Sequence, residues 1–488
     1  MAYCGYVIKI EHLRPHTNAD RLQIATVFGN DVVVGLDTKI GQMMIYFPTD
    51  GQLSPEYCAF NDLVRRKDEN GNPAGGYLDP DKRNIKAIRL RGEKSDGILM
   101  PLTSVANWTS ISDLKVGDQI TTLGGVEICR KYIPRRVSGG VFVGGCHKKA
   151  KANFAPTFYE HVDTAQLAYS LGQFKTGDIV ELTLKMHGTS GRTGYLPINK
   201  QMKRTILDKI LRRPGKQYKE YDYVTGTRRV VLDSKHDGGF YEDNNFRIAM
   251  AAKFDGKLRK GEVVYYEIVG FVNANTPIMA SVKNSKIKDK EFIKQYGEET
   301  VFSYGCDREG SYEWQNLDDS GDVESGTMTL TEARMYGLAV APKCEVYVYR
   351  MTQVNEDGDV VELSPDQMRM RCEQMGVKTV PVFERFIIPE NPGEVLVDKA
   401  GDTDYGVCSP GEYVLRKVEQ YFDGPDPIGK THIREGVVAR IVNRPDIAVY
   451  KHKNFNFKVL EGIIKEDATA PDMEEAQDEM SIEENGNA

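Results

Sequence analysis

The sequence contains no C-x-x-C pair. Its eight cysteines (Cys4, Cys58, Cys129, Cys146, Cys306, Cys344, Cys372, Cys408) are scattered over 488 residues. Scattered thiols with no such pair make a zinc site or a disulfide framework unexpected, and reduced thiols in a cytoplasm are the ordinary reading. No apolar run is long enough to span a bilayer. The first residues, MAYCGYVIKIEHLRPH, lack the basic-then-apolar order of a secretory leader, so a cytoplasmic chain with no membrane partner is expected. No internal repeat is visible.

Hydrophobic residues make up 40% of the chain and charged residues 28%, the balance of a globular protein with two or three domains. The formal charge of -7 is misleading. Residues 466–488 carry nine acids (Glu466, Asp467, Asp472, Glu474, Glu475, Asp478, Glu479, Glu483, Glu484) and no lysine or arginine. Without those nine charges the remainder stands at +2. The tail also lacks aromatics and is read as disordered and solvating.

Residues 1–125 are rich in short, β-branched, turn-separated runs such as QIATVFGNDVVVG and KIGQMMIYFPTDG, which predict a small barrel. The stretches HTNADRLQIATV (16–27) and LRGEKSDGILM (90–100) resemble the tRNA-binding type of OB-fold, in which a His-x-x-Ala-Asp-x-Leu stretch comes early and an Arg-Gly-x-x-Ser-x-Gly-x-Leu stretch late. Leu63 to Asp81 is a polar insertion, expected as a surface loop. Residues 126–160 read as a basic linker around the flexible GGVFVGG. It contains Arg130, Lys131, Arg135, Arg136, Lys148, Lys149 and Lys151, and Glu127 is the only acid from 126 to 151. Lys200 to Arg229 is a second basic stretch, with ten Lys/Arg against three acids. Such clusters fit a phosphate backbone, though a solvated helix face is the plainer alternative.

Residues 161–465 mix helices and strands. HVDTAQLAYSL and SPDQMRMRCEQMG have helical spacing. EVVYYEIVGFV, KCEVYVYRM, GVVARIV and IAVYKHKNFNFKVL read as strands. An insertion is expected at about 275–335.

The informative stretch is DIVELTLKMHGTSGRTG, Asp178 to Gly194. Alternation puts Val180, Leu182, Leu184 and Met186 on one face and Glu181, Thr183 and Lys185 on the other. Lys185 can therefore leave the sheet edge for a polar cleft, with Gly188 allowing a sharp turn. A lysine there becomes a nucleophile once it loses its proton, which desolvation, nearby cations or a metal would favour. A second Lys-x-x-Gly at Lys235 shows that the short motif alone is not distinctive. Its company is more so. Glu267 sits inside an apolar strand and needs a partner or ligand. Tyr347 and Tyr349 share a strand face suited to stacking on a base, or to core packing. Glu435 opens another apolar strand. Lys451 and Lys453, two apart, repel each other unless an anion lies between them.

In that order these residues resemble motifs I, III, IIIa, IV and V of the covalent nucleotidyltransferase superfamily of polynucleotide ligases and capping enzymes. KMHGTSGR, YYEIVGF and YKHKNFNFKVLEG after an OB-like region are most similar to the Deinococcus-type RNA ligases. The resemblance implies an α+β protein: an N-terminal OB-fold β-barrel followed by a nucleotidyltransferase domain (ATP-grasp-like, of the ligase adenylation type) of antiparallel sheets with flanking helices. It implies ATP and Mg²⁺ or Mn²⁺. Lys185 would become the lysyl-AMP nucleophile, Glu267 would hold the ribose, and Tyr347 or Tyr349 would stack on adenine. Glu435 would support a divalent metal, with Glu267 as a second candidate ligand. Lys451 and Lys453 would contact the α-phosphate. His187, Gly188 and Arg192 are candidates for the nucleotide phosphates, and Arg228 or Arg229 for the arginine of motif Ia. The implied substrates are nicked RNA or RNA/DNA duplex ends, with RNA on the 3′-OH side, and no obligate protein partner is evident. Ser190 stands where some RNA ligases have Asn, and Arg350 follows the aromatic strand where an acid is common. The rival readings are a DNA ligase, a capping enzyme and a non-catalytic RNA-binding OB protein. The first two usually carry their OB-fold after motif V, whereas this chain continues only into its acidic tail.

Overall fold

A computed structural model of the chain describes residues 3–133, 155–162, 164–201, 217–228, 231–232, 245–273, 276–302, 304, 311–317, 323–329, 344–393 and 408–466. Lys235, Arg229, the GGVFVGG segment and the acidic tail beyond 466 lie outside the described residues.

The chain forms two compact units. The first comprises 1–136, 282–298 and 453–468; the second comprises 137–281, 299–452 and 469–488. This differs from the linear division expected above, because two later segments belong with the N-terminal unit. The reason is specific pairing. Arg89 bridges Asp289 at 2.7 Å and donates to Asn456 Oδ1 at 3.1 Å. Lys458 pairs with buried Asp96, whose carboxylate also accepts from Thr49 Oγ1 at 3.0 Å.

Strands of the first unit follow the alternating runs. Leu22–Val27 and Asn30–Gly35 form a hairpin joined by His12–Pro15, and Gly5–Lys9 pairs with Met43–Phe47 in a four-stranded sheet. Val7, Ile45, Phe47, Leu53, Tyr57 and Ile120 fill its core. Among the described residues these sheets stay separate and do not close into a single hydrogen-bonded barrel. His16 of the HTNAD stretch is buried. Its Nε2 lies 3.1 Å from Leu90 O, and its Nδ1 accepts the Asn18 amide at 3.0 Å.

The second unit holds two largely antiparallel sheets. The five-stranded sheet runs Ala165–Gln166, Ala448–Lys453, Gly436–Ile441, Ile179–Lys185, Val382–Ile387, with its first pair parallel and Ile179–Lys185 antiparallel to both neighbours. Val180, Leu182, Val437, Ala439 and Ile441 pack against Val414 and Val418 of the helix Pro410–Glu419. In the eight-stranded sheet, Thr189–Gln201, Glu262–Asn273 and Cys344–Val354 are neighbours. One face of that sheet packs Tyr266, Ile268, Val346 and Val348 with Phe254 and Met368. The other packs Val263, Tyr265, Leu196 and Val224.

Two expected elements differ. HVDTAQLAYSL is not a helix: Ala165–Gln166 is a short strand, followed by 3-10 turns at Leu167–Tyr169 and Leu171–Gln173. Sheet pairing with Tyr450 and Lys451 outweighs local propensity there. IAVYKHKNFNFKVL is strand only to Lys453, and a helix runs from Phe455 to Glu466. Buried Asn454 makes the switch, its side chain accepting from the Phe457 amide at 3.2 Å as an N-cap. The helix expected in SPDQMRMRCEQMG is present as Pro365–Met375, with a capping box between Ser364 and Gln367.

Candidate active site

Lys185 is the last residue of its strand, opposite Gly436 in register. That register brings the residue before Gly436 beside the lysine. Lys185 Nζ donates to Glu435 Oε1 at 2.5 Å, with the lysine side chain 22% exposed and the glutamate 2%. The second Glu435 oxygen lies 3.8 Å from His187 Nδ1. The buried His187 ring meets the edge of Phe302, centroids 4.5 Å apart.

From Met186 the chain leaves one sheet for the other, and Gly188 makes this possible. A Cβ at Gly188 would come within 2.4 Å of Ile268 O and 2.9 Å of Glu267 Cγ. Only a residue without a side chain lets the turn lie that close to the Glu267 strand. The chain then pairs along that strand, Thr189 opposite Ile268 and Ser190 opposite Glu267. Glu267 is opposite Tyr347 on its other side, and Tyr347 is opposite Lys378. Ser190, Glu267, Tyr347 and Lys378 thus form one row across four strands. Ser190 Oγ donates to Glu267 Oε2 at 3.5 Å, and Lys378 Nζ lies 5.7 Å from the Tyr347 ring centroid.

Glu267 is half-buried, and the desolvation pushes its carboxyl up to about 7. The negative charge of Glu435 pushes it the same way, while Lys185, Arg228 and Arg247 oppose the shift. The site therefore gathers two carboxylates at a lysine, and the rise in Glu267 reports mainly its removal from water. A divalent cation fits this donor set: the oxygens are hard and anionic, as Mg²⁺ and Mn²⁺ require. Among the described residues no group of three or more His, Cys, Asp or Glu could hold a metal by itself. That suits a cation whose remaining ligands are water and substrate phosphate.

The other expected residues are placed as follows. Arg228 is within electrostatic reach of Glu267. Arg192, expected at a phosphate, is instead buried and structural. Its guanidinium donates to Thr227 O at 3.0 Å and Phe158 O at 3.1 Å and stacks on the Phe158 ring. Tyr349 packs with the Leu196 and Tyr265 cluster and against His161, so of the two tyrosines Tyr347 is the one beside Glu267. Lys451 pairs in register with Gln166, and Lys453 donates to Glu461 Oε1 at 2.6 Å within the first compact unit.

Arg247 was not expected. It is buried and donates to Ser190 O at 3.1 Å and to Thr189 Oγ1 at 2.5 Å, bracing the turn after the nucleophile. The sequence did offer a signal, a lone charge in the apolar helical run FRIAMA. Tyr304 was also missed. It falls in the insertion, where no chemistry was legible, yet its hydroxyl accepts the His187 backbone amide at 2.9 Å.

The RNA ligase family model matches residues 178–460. The chain belongs to the RNA ligase family. Among solved structures it resembles substituted forms of the Naegleria gruberi RNA ligase. One, with AMP and Mn, has 15% identity and a TM-score of 0.51, covering 93% of this chain and 97% of that one. Another, with ATP and Mn, has 14% identity and a TM-score of 0.50, covering 93% and 98%. At these identities the likeness is one of fold. No curated protein matches the chain. The family match spans all the motifs from Lys185 to Lys453.

Proposed function

We propose that this RNA ligase uses ATP and a divalent cation to join 3′-OH and 5′-phosphate ends at nicks in a duplex with RNA on the 3′-OH side. The observation that carries the reading is the meeting of Lys185 and Glu435 at 2.5 Å, beside a row that offers Glu267 and Tyr347. Lys185 Nζ attacks the α-phosphorus of ATP. A P–N bond forms, the bond to pyrophosphate breaks, and the amine gives up its proton. AMP then passes to the 5′-phosphate, and the 3′-OH displaces it as the strand closes.

In this reading Glu267 accepts from the ribose and Tyr347 offers its ring to adenine. Glu435 and Glu267 would hold the cation, which when bound neutralises charge developing at phosphorus. Glu435 is then shared: it holds the lysine in the free enzyme and turns to the cation in the loaded one. Lys451 and Lys453 are assigned to the α-phosphate, which for Lys453 requires exchange from Glu461. The N-terminal unit is assigned as an OB-type module gripping nucleic acid, on its HTNAD and LRGEKSDG stretches.

The test is the intact mass of the protein after incubation with ATP and Mg²⁺ or Mn²⁺. The expected result is an added AMP in wild type and in Lys235→Ala, absent in Lys185→Ala. No adduct in folded wild type would overturn the reading in favour of a non-catalytic RNA-binding protein.

A further inference from the structure

Behind the nucleophile turn lies a buried polar cluster that the proposed chemistry does not use. His432, fully buried, is three residues before Glu435. Its Nδ1 lies 2.9 Å from Ile433 O. A carbonyl can only accept, so Nδ1 carries the proton and Nε2 a lone pair. That Nε2 has no hydrogen-bond partner among the described residues. A Cβ at Gly429 would sit 2.0 Å from it, so the backbone is pressed against the ring. Asp426, also buried, ties the same loop: its Oδ1 accepts the Ile428 and Gly429 amides at 2.8 Å each. Its other oxygen is likewise without a partner among the described residues. Burial pushes Asp426 up and His432 down, so both are held toward neutrality.

The His432 ring supports two aromatics. Tyr304 meets it edge-on with centroids 4.6 Å apart, and Phe302 does so at 5.3 Å. These are the two rings that grip His187, Tyr304 by the backbone amide at 2.9 Å and Phe302 by the imidazole at 4.5 Å. The loop that holds His432 closes through the Pro425–Ile433 bridge and runs directly into Glu435. One buried cluster therefore anchors both sides of the Lys185–Glu435 pair, the nucleophile turn through Tyr304 and the glutamate through the chain leaving His432. Leaving unpartnered polar atoms in a core costs stability. Such a cost is commonly retained where it fixes geometry for function.

We infer that Tyr304, seated on His432 and the Asp426 loop, is a positioning residue for the lysine-adenylation step: it sets the height of the His187 peptide and so the aim of Lys185 at the α-phosphate. The inference rests on the RNA ligase reading. It makes a step-specific prediction, because Lys185 is a reactant only when AMP is loaded. When a 3′-OH attacks a 5′-adenylated strand, the lysine amine neither gains nor loses a bond.

The experiment compares wild type, Tyr304→Phe and Lys185→Ala in the full chain. Single-turnover lysyl-AMP formation is followed over a range of ATP concentrations. Sealing of a pre-adenylated nicked duplex without ATP is measured in parallel, with thermal melting of each protein. Tyr304→Phe keeps the ring on His432 and removes one oxygen. It is expected to slow the maximal rate of lysyl-AMP formation at least tenfold, to change the half-saturating ATP concentration less than twofold, and to leave pre-adenylated sealing within twofold of wild type. Equal loss in both reactions would show a merely structural role and overturn the inference. So would an unchanged adenylation rate, or an effect confined to ATP affinity. Those results would leave the ligase reading intact if wild type forms the adduct and Lys185→Ala does not. Absence of the adduct from folded wild type would remove the reading and the inference together.

Discussion

The second unit contains two clusters of enclosed charge, and they are built on opposite plans. In one, carboxylates are matched by guanidinium forks. Glu181 receives both Arg369 nitrogens at 2.9 Å, with Arg385 at 3.9 Å. Glu362 is met by Arg350 at 3.0 Å and Arg440 at 3.2 Å. These pairs join strands of the five-stranded sheet to strands and a helix of the eight-stranded one. In the other cluster two carboxylates, Glu435 and Glu267, converge on Lys185, and Glu267 is driven up to about 7. Where carboxylates are gripped by guanidinium forks the fold is braced. Where a carboxyl is desolvated beside a lysine at a strand end, the proposed chemistry has its groups. The two clusters lie in one unit, and they differ in the base that meets the acid, a guanidinium fork in one and a lysine amine in the other, and in how the carboxylate is held.

The largest expected effect tests the second cluster. Lys185→Ala should abolish the AMP adduct completely, read by intact mass, with thermal melting run in parallel to show that the variant is folded, since buried Glu435 loses its partner amine. In the first cluster, Glu181→Ala leaves Arg369 and Arg385 with Asp366 as their remaining shared acid. Loss of the charged hydrogen bonds should cost about 1–3 kcal/mol, to be read from urea unfolding, and adenylation by the protein that remains folded should persist. If Glu181→Ala instead removed activity without loss of stability, the contrast between bracing and reacting clusters would fail.

Glu435→Gln keeps the shape and removes the charge. Loss of one electrostatic stabiliser of this kind costs about 10²–10³ in rate, measurable as lysyl-AMP formation at saturating ATP. Tyr347→Leu should weaken ATP binding by about 1–3 kcal/mol, the usual worth of a stacked base, while Tyr349→Leu should not; fluorescence titration with an ATP analogue separates them.

The smallest effect is on stability against pH. Glu267 has a raised pKa in the fold, so the folded state holds its proton more tightly than the unfolded one. Its contribution favours folding below about pH 4.5 and is lost as pH rises through about 7. Relative to Glu267→Gln, wild type without nucleotide or metal should therefore lose stability across that window, by about 3 kcal/mol at most. A difference that is flat from pH 4 to 8, measured by denaturant unfolding, would show that the neighbouring cations offset the desolvation of Glu267 and that its carboxyl is held no differently from those of the first cluster.

Much of this was legible in the sequence. Period-two alternation in DIVELTLK gave the strand and both its faces, and the spacing of KMHG placed a turn on Gly188. The order of Lys185, Glu267, Tyr347, Glu435 and Lys453 gave the family. Other features were not legible, for identifiable reasons. Arg192 reads as a phosphate ligand because an arginine near a nucleophile can face either way, and only packing against Phe158 turned it inward. The strand through IAVYKHKNFNFKVL reads as continuous because a capping asparagine inside an apolar run has no periodic signature. Tyr304 was hidden in an insertion more than a hundred residues from the lysine whose turn it holds.

The sequence by itself determined what each strand offers: its buried face, its polar face and the chemical type at its end. Those follow from local periodicity, which depends only on neighbours along the chain. Tertiary structure decided which ends meet. The register that sets Lys185 opposite Gly436 and Glu267 between Ser190 and Tyr347 is fixed by packing between distant segments. The desolvation that raises Glu267 beside the lysine exists only once those segments have come together.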